Sequence, residues 1–364
     1  MARLVKKSLM ALVLTIAAQA LYAAEAPPAV QEAAGARKEE LRKMIAGAIT
    51  EGELNYWDTV IQSTTNEALV AGFRKYYGLP AGFKVNYSLS PAAALVTRVE
   101  QEVTAGRVTM DIAAVASLPW VHDKIKGGHV MRYDSPQYLH YKNAIDKGLG
   151  QDGYFAFNGA YVFVPMWSAD KVNFKSSSWR DVAGAVPGGR ISMGDAGKSP
   201  TYLATYMGLR TVLDLDYFKR IAQMKPVFLV RSEQIANQIV TGQDLFAFSG
   251  MPTRAYQFNE RGAKLKFLMP KEGVVLMPQA MFILAKAPHP NAARLWVDYV
   301  LSEEGQSVLV KHEALVSGRT GFKSPLPDYA PSIDELNVIK VDWAKITPAD
   351  MEKARAEWLS VFMP

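Results

Sequence analysis

A regular exchange of strand-like and helix-like segments in the first third constrains this chain more than any other feature. "ELNYWDTV" (53–60) reads as a strand. "STTNEALVAGFRKYYG" (63–78) follows as a helix, with a Ser/Thr cap cluster, apolar Leu69, Val70 and Phe73, and Gly78 as its stop. "FKVNYSLS" is a second strand, "PAAALVTRVEQEVTAG" a second helix and "MDIAAVAS" a third strand. An amphipathic helix carrying Leu41, Met44, Ile45 and Ala48 on one face precedes them. Such alternation builds α/β layers around a mostly parallel sheet.

Residues 119–158 are irregular and aromatic. Beyond them "GAYVFVPMW" (159–167) reads as a buried strand, and the exchange resumes with strands at 189–194, 226–230 and 244–249. Helices are expected at 200–213, 216–223, 232–241 and 252–261. "QAMFILA" (279–285) is a further buried strand, and two amphipathic helices follow it. Thr347, Pro348 and Asp350 mark the start of a last helix. The expected fold class is therefore α/β, two-lobed, with mixed, mostly parallel sheets and a cleft between the lobes. The strands at 159–167 and 279–285 cross between lobes. Lobe 1 takes 37–158 and 272–315, lobe 2 takes 159–271, and 316–364 is a helical segment packed on both. In open α/β sheets, ligands sit where strand ends lead into helix N-termini.

The first residues set the compartment. "MARLVKKS" is basic, an apolar stretch follows, and small residues stand at Ala23, Ala24 and Ala26. This reads as a cleaved signal peptide over 1–24 and a mobile leader over 25–36. Removing 1–24 takes away three cations and no acid, so the formal charge falls from +6 to +3. That balance gives no case for a nucleic-acid partner. The chain has no Cys, which excludes disulfides, thiolate metal sites and a Cys nucleophile.

Several motifs tempt and fail. "RISMGDAGKSPTYL" (190–203) contains the Gly-Lys-Ser of a phosphate-binding loop, yet Ser192 stands where the first Gly belongs. "GLGQDG" (148–153) lacks the strand before it and the helix after it that a dinucleotide site needs. "SADK" (168–171) has no accompanying Lys-Thr-Gly. His122, His129, His140, His289 and His312 have no metal-ligand spacing. No constellation supports catalysis, and no metal or cofactor is expected.

Four loops suit binding better: "WDTVIQST" (57–64), "VASLPW" (115–120), "AGKSPTY" (196–202) and "FSGMPTR" (248–254). "VRSEQ" (230–234) adds a helix start. They supply Trp57, Gln62, Ser63, Ser117, Lys198, Ser199, Thr201, Tyr202, Arg231, Ser249, Gly250 and Met251 as candidate ligand-binding residues. Helix N-termini leave N–H groups unpaired and attract anions. Trp57, Trp120 and Tyr202 offer apolar walls, and Arg231, Lys198 or Arg254 a countercharge. Ordinary capping and core packing are the competing readings for each residue alone.

The order of four segments resembles a known family. These are "EELRKMIAGAITEGELNYW", "FRKYYG", "SSSWRDVAGAVPGGRISMGD" and "GVVLMPQAMFILAKAPHPNAARLWVDYVLSEEGQ". From about residue 38 onward the chain resembles a periplasmic solute-binding protein of an ABC importer. The likeness is to the type II fold and the ferric-iron-binding-like branch of extracellular solute-binding family 1. The resemblance implies capture of a small-molecule solute by hinge closure, with no catalysis. It also implies a monomer that delivers the solute to an ABC permease and ATPase complex in the inner membrane. The branch's iron ligands do not carry over: Gln62 stands in place of a His, Ala116 or Ser117 in place of a carboxylate, and Met251-Pro252 in place of paired tyrosines. The segment Ser199–Tyr202 matches the part that holds an accompanying anion. The solute expected is therefore a small organic anion. The alternatives are ferric iron or an iron chelate, a sensor partner of a membrane kinase, or a periplasmic enzyme.

Overall fold

The computed structural model describes residues 26–185 and 190–363. The expected signal peptide lies outside the described residues. In chain order the strands are β1 (Glu53–Asp58), β2 (Lys84–Leu89), β3 (Ile112–Val115), β4 (Ala156–Val162) and β5 (Val164–Ser168). Then come β6 (Ile191–Gly194), β7 (Val227–Leu229), β8 (Phe246–Gly250), β9 (Leu265–Phe267) and β10 (Leu276–Ile283). They form two five-stranded sheets, ordered β2-β1-β3-β10-β4 and β7-β6-β8-β5-β9.

The sheets repeat one plan. In the first, β1 is parallel to β2 and β3, and β10 is antiparallel to β3 and β4. In the second, β6 is parallel to β7 and β8, and β5 is antiparallel to β8 and β9. Strand–helix alternation accounts for the parallel half of each sheet, and the crossing strands supply the antiparallel half. β4 and β10 are buried along their whole length, so they read as continuous apolar runs without a period of two.

The run 159–167 is not one strand. It divides at Phe163, where the chain leaves the first sheet as β4 and enters the second as β5. Residues 159–162 therefore belong with lobe 1. The leader is also not free. Pro28–Glu32 forms a short helix, Ala29 and Val30 are buried, and Glu32 accepts a hydrogen bond from the Tyr76 hydroxyl at 2.8 Å. Two apolar side chains with a face to cover outweigh the Pro-rich composition. The irregular stretch 119–158 includes the helix Leu118–Lys126, started by Pro119. Between 316 and 347 the chain is mostly non-helical, with one short turn at Trp343–Lys345. The final helix, Pro348–Phe362, has the expected capping box of Thr347 and Asp350, and it packs on helices Pro200–Leu209 and Leu215–Gln223 of lobe 2.

Each lobe has its own aromatic core. In lobe 1, Phe73 meets Tyr77, Phe83, Trp296 and Tyr299 at centroid distances of 5.0–6.0 Å. In lobe 2, Phe248 meets Trp179, Tyr217 and Phe218.

Candidate functional site

The carboxyl ends of β1 and β2 in lobe 1 and of β6, β7 and β8 in lobe 2 open on one cavity of about 60 Å³. β1 leads into Thr59 and Val60, and β2 into Ser90, Pro91 and Ala92. From lobe 2, Ser199, Thr201 and Tyr202 follow β6, Arg231, Ser232 and Glu233 follow β7, and Met251 and Arg254 follow β8. Tyr161 and Phe163 come from the crossing strand itself. Helix Ala92–Thr104 of lobe 1 touches helix Pro200–Leu209 of lobe 2, so the lobes are closed on each other. A water needs roughly 10–15 Å³ measured in this way. The closed cavity thus takes a compact group of a few heavy atoms, and its open side leaves room for the rest of a solute outside it.

Four helices begin at this cavity: Ala92–Thr104, Pro200–Leu209, Ser232–Thr241 and Pro252–Asn259. The N-cap residues of three of them, Pro91, Arg231 and Met251, make no side-chain cap hydrogen bond. Their first-turn N–H groups are left without a capping side chain and carry partial positive charge. The fourth is capped weakly, Ser199 Oγ accepting from the Tyr202 N–H at 3.4 Å. Two further hydroxyls, on Thr59 and Thr201, are buried and have no partner of hydrogen-bond geometry. A buried polar group left unpaired costs about 1–3 kcal/mol, so a solute that pairs with it gains that difference.

Arg254 is the buried charge of this set, 4% exposed. Its Nε donates to Ser232 Oγ at 3.1 Å, Nη1 to Gln257 Oε1 at 2.6 Å and Nη2 to the Val60 carbonyl of lobe 1 at 3.3 Å. Burial pulls the guanidinium below its ordinary value, and the charge of Glu313 acts against that. Arg231 is more exposed and pairs with Glu233 at 3.6 Å. Asp58 organises the lobe 1 side. It is fully buried and accepts from the N–H groups of Val60 and Ile61 at 2.7 and 2.8 Å, and from the Tyr56 hydroxyl. Phe163 meets Tyr202 at 4.5 Å and Tyr161 at 5.4 Å, forming an aromatic wall. Burial pushes the Tyr161 and Tyr202 phenols well above their ordinary value and keeps them neutral.

A family model described as bacterial extracellular solute-binding protein matches residues 62–312. The chain belongs to this family. No curated protein matches it. Among solved structures, this solute-binding protein is similar to the substrate-binding protein of an ABC transporter from Agrobacterium tumefaciens, with a TM-score of 0.73 and 14% identity over 85% of this chain and 94% of that one. It is similar to AfuA from Actinobacillus pleuropneumoniae, solved with exogenous fructose-6-phosphate bound, with a TM-score of 0.72 and 18% identity over 85% and 98%. It is also similar to iron-bound HitA from Pseudomonas aeruginosa, with a TM-score of 0.66 and 15% identity over 85% and 99%. At these identities the likeness establishes the two-lobed type II fold.

Of the residues expected from sequence, Ser199, Thr201, Tyr202, Arg231 and Met251 of the binding protein line the cavity. The others do not. Trp57 lies under the Arg98 guanidinium at 5.9 Å. Gln62 uses its N–H on Glu313 and its side chain on the Val60 carbonyl. Ser63 is exposed on its helix, and Ser117 is fully buried away from the cavity. Lys198 extends into solvent beside Asp195 at 3.5 Å. Ser249 and Gly250 stay within β8, where Gly250 is pressed so close to Met166 that a Cβ would come within 2.1 Å of it. Trp120 donates to Glu100 instead of walling the site. The Tyr206 and Tyr256 hydroxyls donate to Glu357 and to the Lys311 carbonyl, outside the cavity. Among the described residues no three His, Asp or Glu cluster as a metal site. The loop Leu89–Ala92 was missed, though its Ser90-Pro91 repeats the Ser199-Pro200 pair at a strand end.

Proposed function

We propose that this protein is the extracytoplasmic substrate-binding component of an ABC importer. It captures a small organic anion between its lobes and passes it, unaltered, to a membrane permease and its ATPase. The observation that carries this reading is the convergence of four helix N-termini from both lobes around buried Arg254. The unpaired hydroxyls of Thr59 and Thr201, one from each lobe, add donors on opposite sides of the cavity. A phosphate, phosphonate or carboxylate has acceptors to meet such a ring of donors. The aromatic wall of Tyr161, Phe163 and Tyr202 suits the adjoining organic body. Two arginines and neutral phenols disfavour bare ferric iron, which seeks anionic oxygen ligands. AfuA makes sugar phosphates a natural class to try first. Closure follows from differential affinity, since only the closed form presents both halves of the ring at once.

Titration calorimetry against fructose 6-phosphate, inorganic phosphate, organic acids, phosphonates and ferric citrate tests the reading. An organic phosphate, phosphonate or carboxylate should bind, and replacing Ser199 and Thr201 together by Ala should weaken it by about 1–3 kcal/mol. Binding of ferric citrate alone, or unchanged affinity in the double variant, rejects it.

A further inference from the structure

Beneath the cavity a hydrogen-bonded line crosses from lobe 2 to lobe 1. Arg254 Nη1 donates to Gln257 Oε1 at 2.6 Å, and Gln257 Nε2 donates to Glu313 Oε2 at 2.6 Å. Glu313 Oε1 accepts from the Gln62 N–H, again at 2.6 Å. Arg254 and Gln257 belong to helix Pro252–Asn259 of lobe 2. Glu313 ends helix Glu303–Glu313 of lobe 1, and Gln62 precedes the lobe 1 helix Ser63–Tyr77. Glu313 is completely buried.

The direction of every bond in this line is fixed. Arginine has donors only, so Gln257 must turn its oxygen to Arg254 and its nitrogen to Glu313. Glu313 must then accept on both oxygens, because the Gln62 backbone also donates. No member can be inverted without setting two donors against each other. Three of the five guanidinium N–H groups are used within the chain, on Ser232, Gln257 and Val60, and two remain for a guest.

We propose that Gln257 and Glu313 are positioning residues that aim Arg254 into the cavity and tie its placement to the closed arrangement of the lobes. The role at the solute rests on the anion reading above; the role in lobe closure does not. When the lobes separate, the contacts of Arg254 with Val60 and of Gln257 with Glu313 break together. The guanidinium then loses its fixed aim, and Glu313 loses its cross-lobe partner. The line is thus a latch of fixed polarity beneath the solute.

That polarity gives the test. Gln257→Glu alone sets two carboxylates against each other. Glu313→Gln alone cannot accept from both Gln257 and Gln62. The exchange Gln257→Glu with Glu313→Gln restores every donor–acceptor match, keeps the total charge and preserves side-chain volume. The full-length mature chain is measured in two ways: affinity for fructose 6-phosphate by calorimetry, and radius of gyration by small-angle scattering without solute. Each single variant should weaken the probe by about tenfold or more, the scale of one lost hydrogen bond to a charge, and should scatter as a more open molecule. The exchange should return both readings toward wild type. If wild type does not bind the probe but the singles open the lobes and the exchange closes them, the latch stands and the choice of solute falls. Singles that keep wild-type scattering overturn the latch, as does an exchange no better than the singles. A variant that unfolds is recognised by circular dichroism, and the exchange then decides.

Discussion

At the scale of single residues, close approach governs the cavity wall. Gly194 ends β6 directly under Tyr202, where a Cβ would lie 2.2 Å from the ring. Gly194→Ala should push Tyr202 off Phe163, cost about 1–3 kcal/mol of stability and weaken solute binding. Thermal unfolding together with calorimetry checks it, and a variant with wild-type values in both would show the ring is free to yield. Asp298 gives a pH-dependent case far from the cavity. It accepts from Ser135 at 2.6 Å, Tyr133 at 2.7 Å and Arg37 at 2.5 Å. Burial nevertheless pushes its carboxyl from 3.8 to about 6. The folded chain then holds a proton between those values that the unfolded chain does not. This group's contribution to stability is therefore fully present below the unfolded value and is lost as pH rises through about 6. The wild type should gain on Asp298→Asn by about 2–3 kcal/mol between pH 7 and pH 4. A difference between the two proteins that stays constant with pH rejects the assignment.

At the scale of elements, the sequence was most legible where the signal is local. Gly78 takes φ +63 and stops its helix, and Thr347 with Asp350 starts another, because caps depend on a few neighbouring residues. The cavity was half legible. Ser199-Pro200 and Met251-Pro252 announce helix starts at strand ends, and so does Ser90-Pro91. What a strand end cannot announce is which side chain turns inward. Trp57 and Asp58 are neighbours on β1, and strand geometry sends them to opposite faces. Tyr161 and Phe163 reach the cavity only because the chain changes sheets between β4 and β5, a tertiary event without a local mark. The helix Pro28–Glu32 was misread for a similar reason, since its stability comes from the lobe 1 surface that receives it. Val30→Asp should cost about 3 kcal/mol by placing a carboxylate in that contact. Thermal unfolding of the chain from residue 25 onward tests this, and an unshifted midpoint would mean the segment is not held there.

At the scale of the whole molecule, two sheets of the same plan face each other with their carboxyl ends converging, and closure joins the two halves of one site. A bound solute should raise the unfolding midpoint and lower the radius of gyration together, because it stabilises the closed arrangement. A rise in midpoint while the molecule scatters as the open single variants do would indicate binding to one lobe alone. The central position of β10 also bears on the order in which the protein assembles. It lies between β3 and β4, and it comes from a part of the chain that follows all of lobe 2. Until residues 276–283 are available, β4 has no strand linking it to β3, and the opening domain exists as two unjoined pieces. A polypeptide emerging from its N-terminus therefore cannot finish its first sheet until all of lobe 2 has been made.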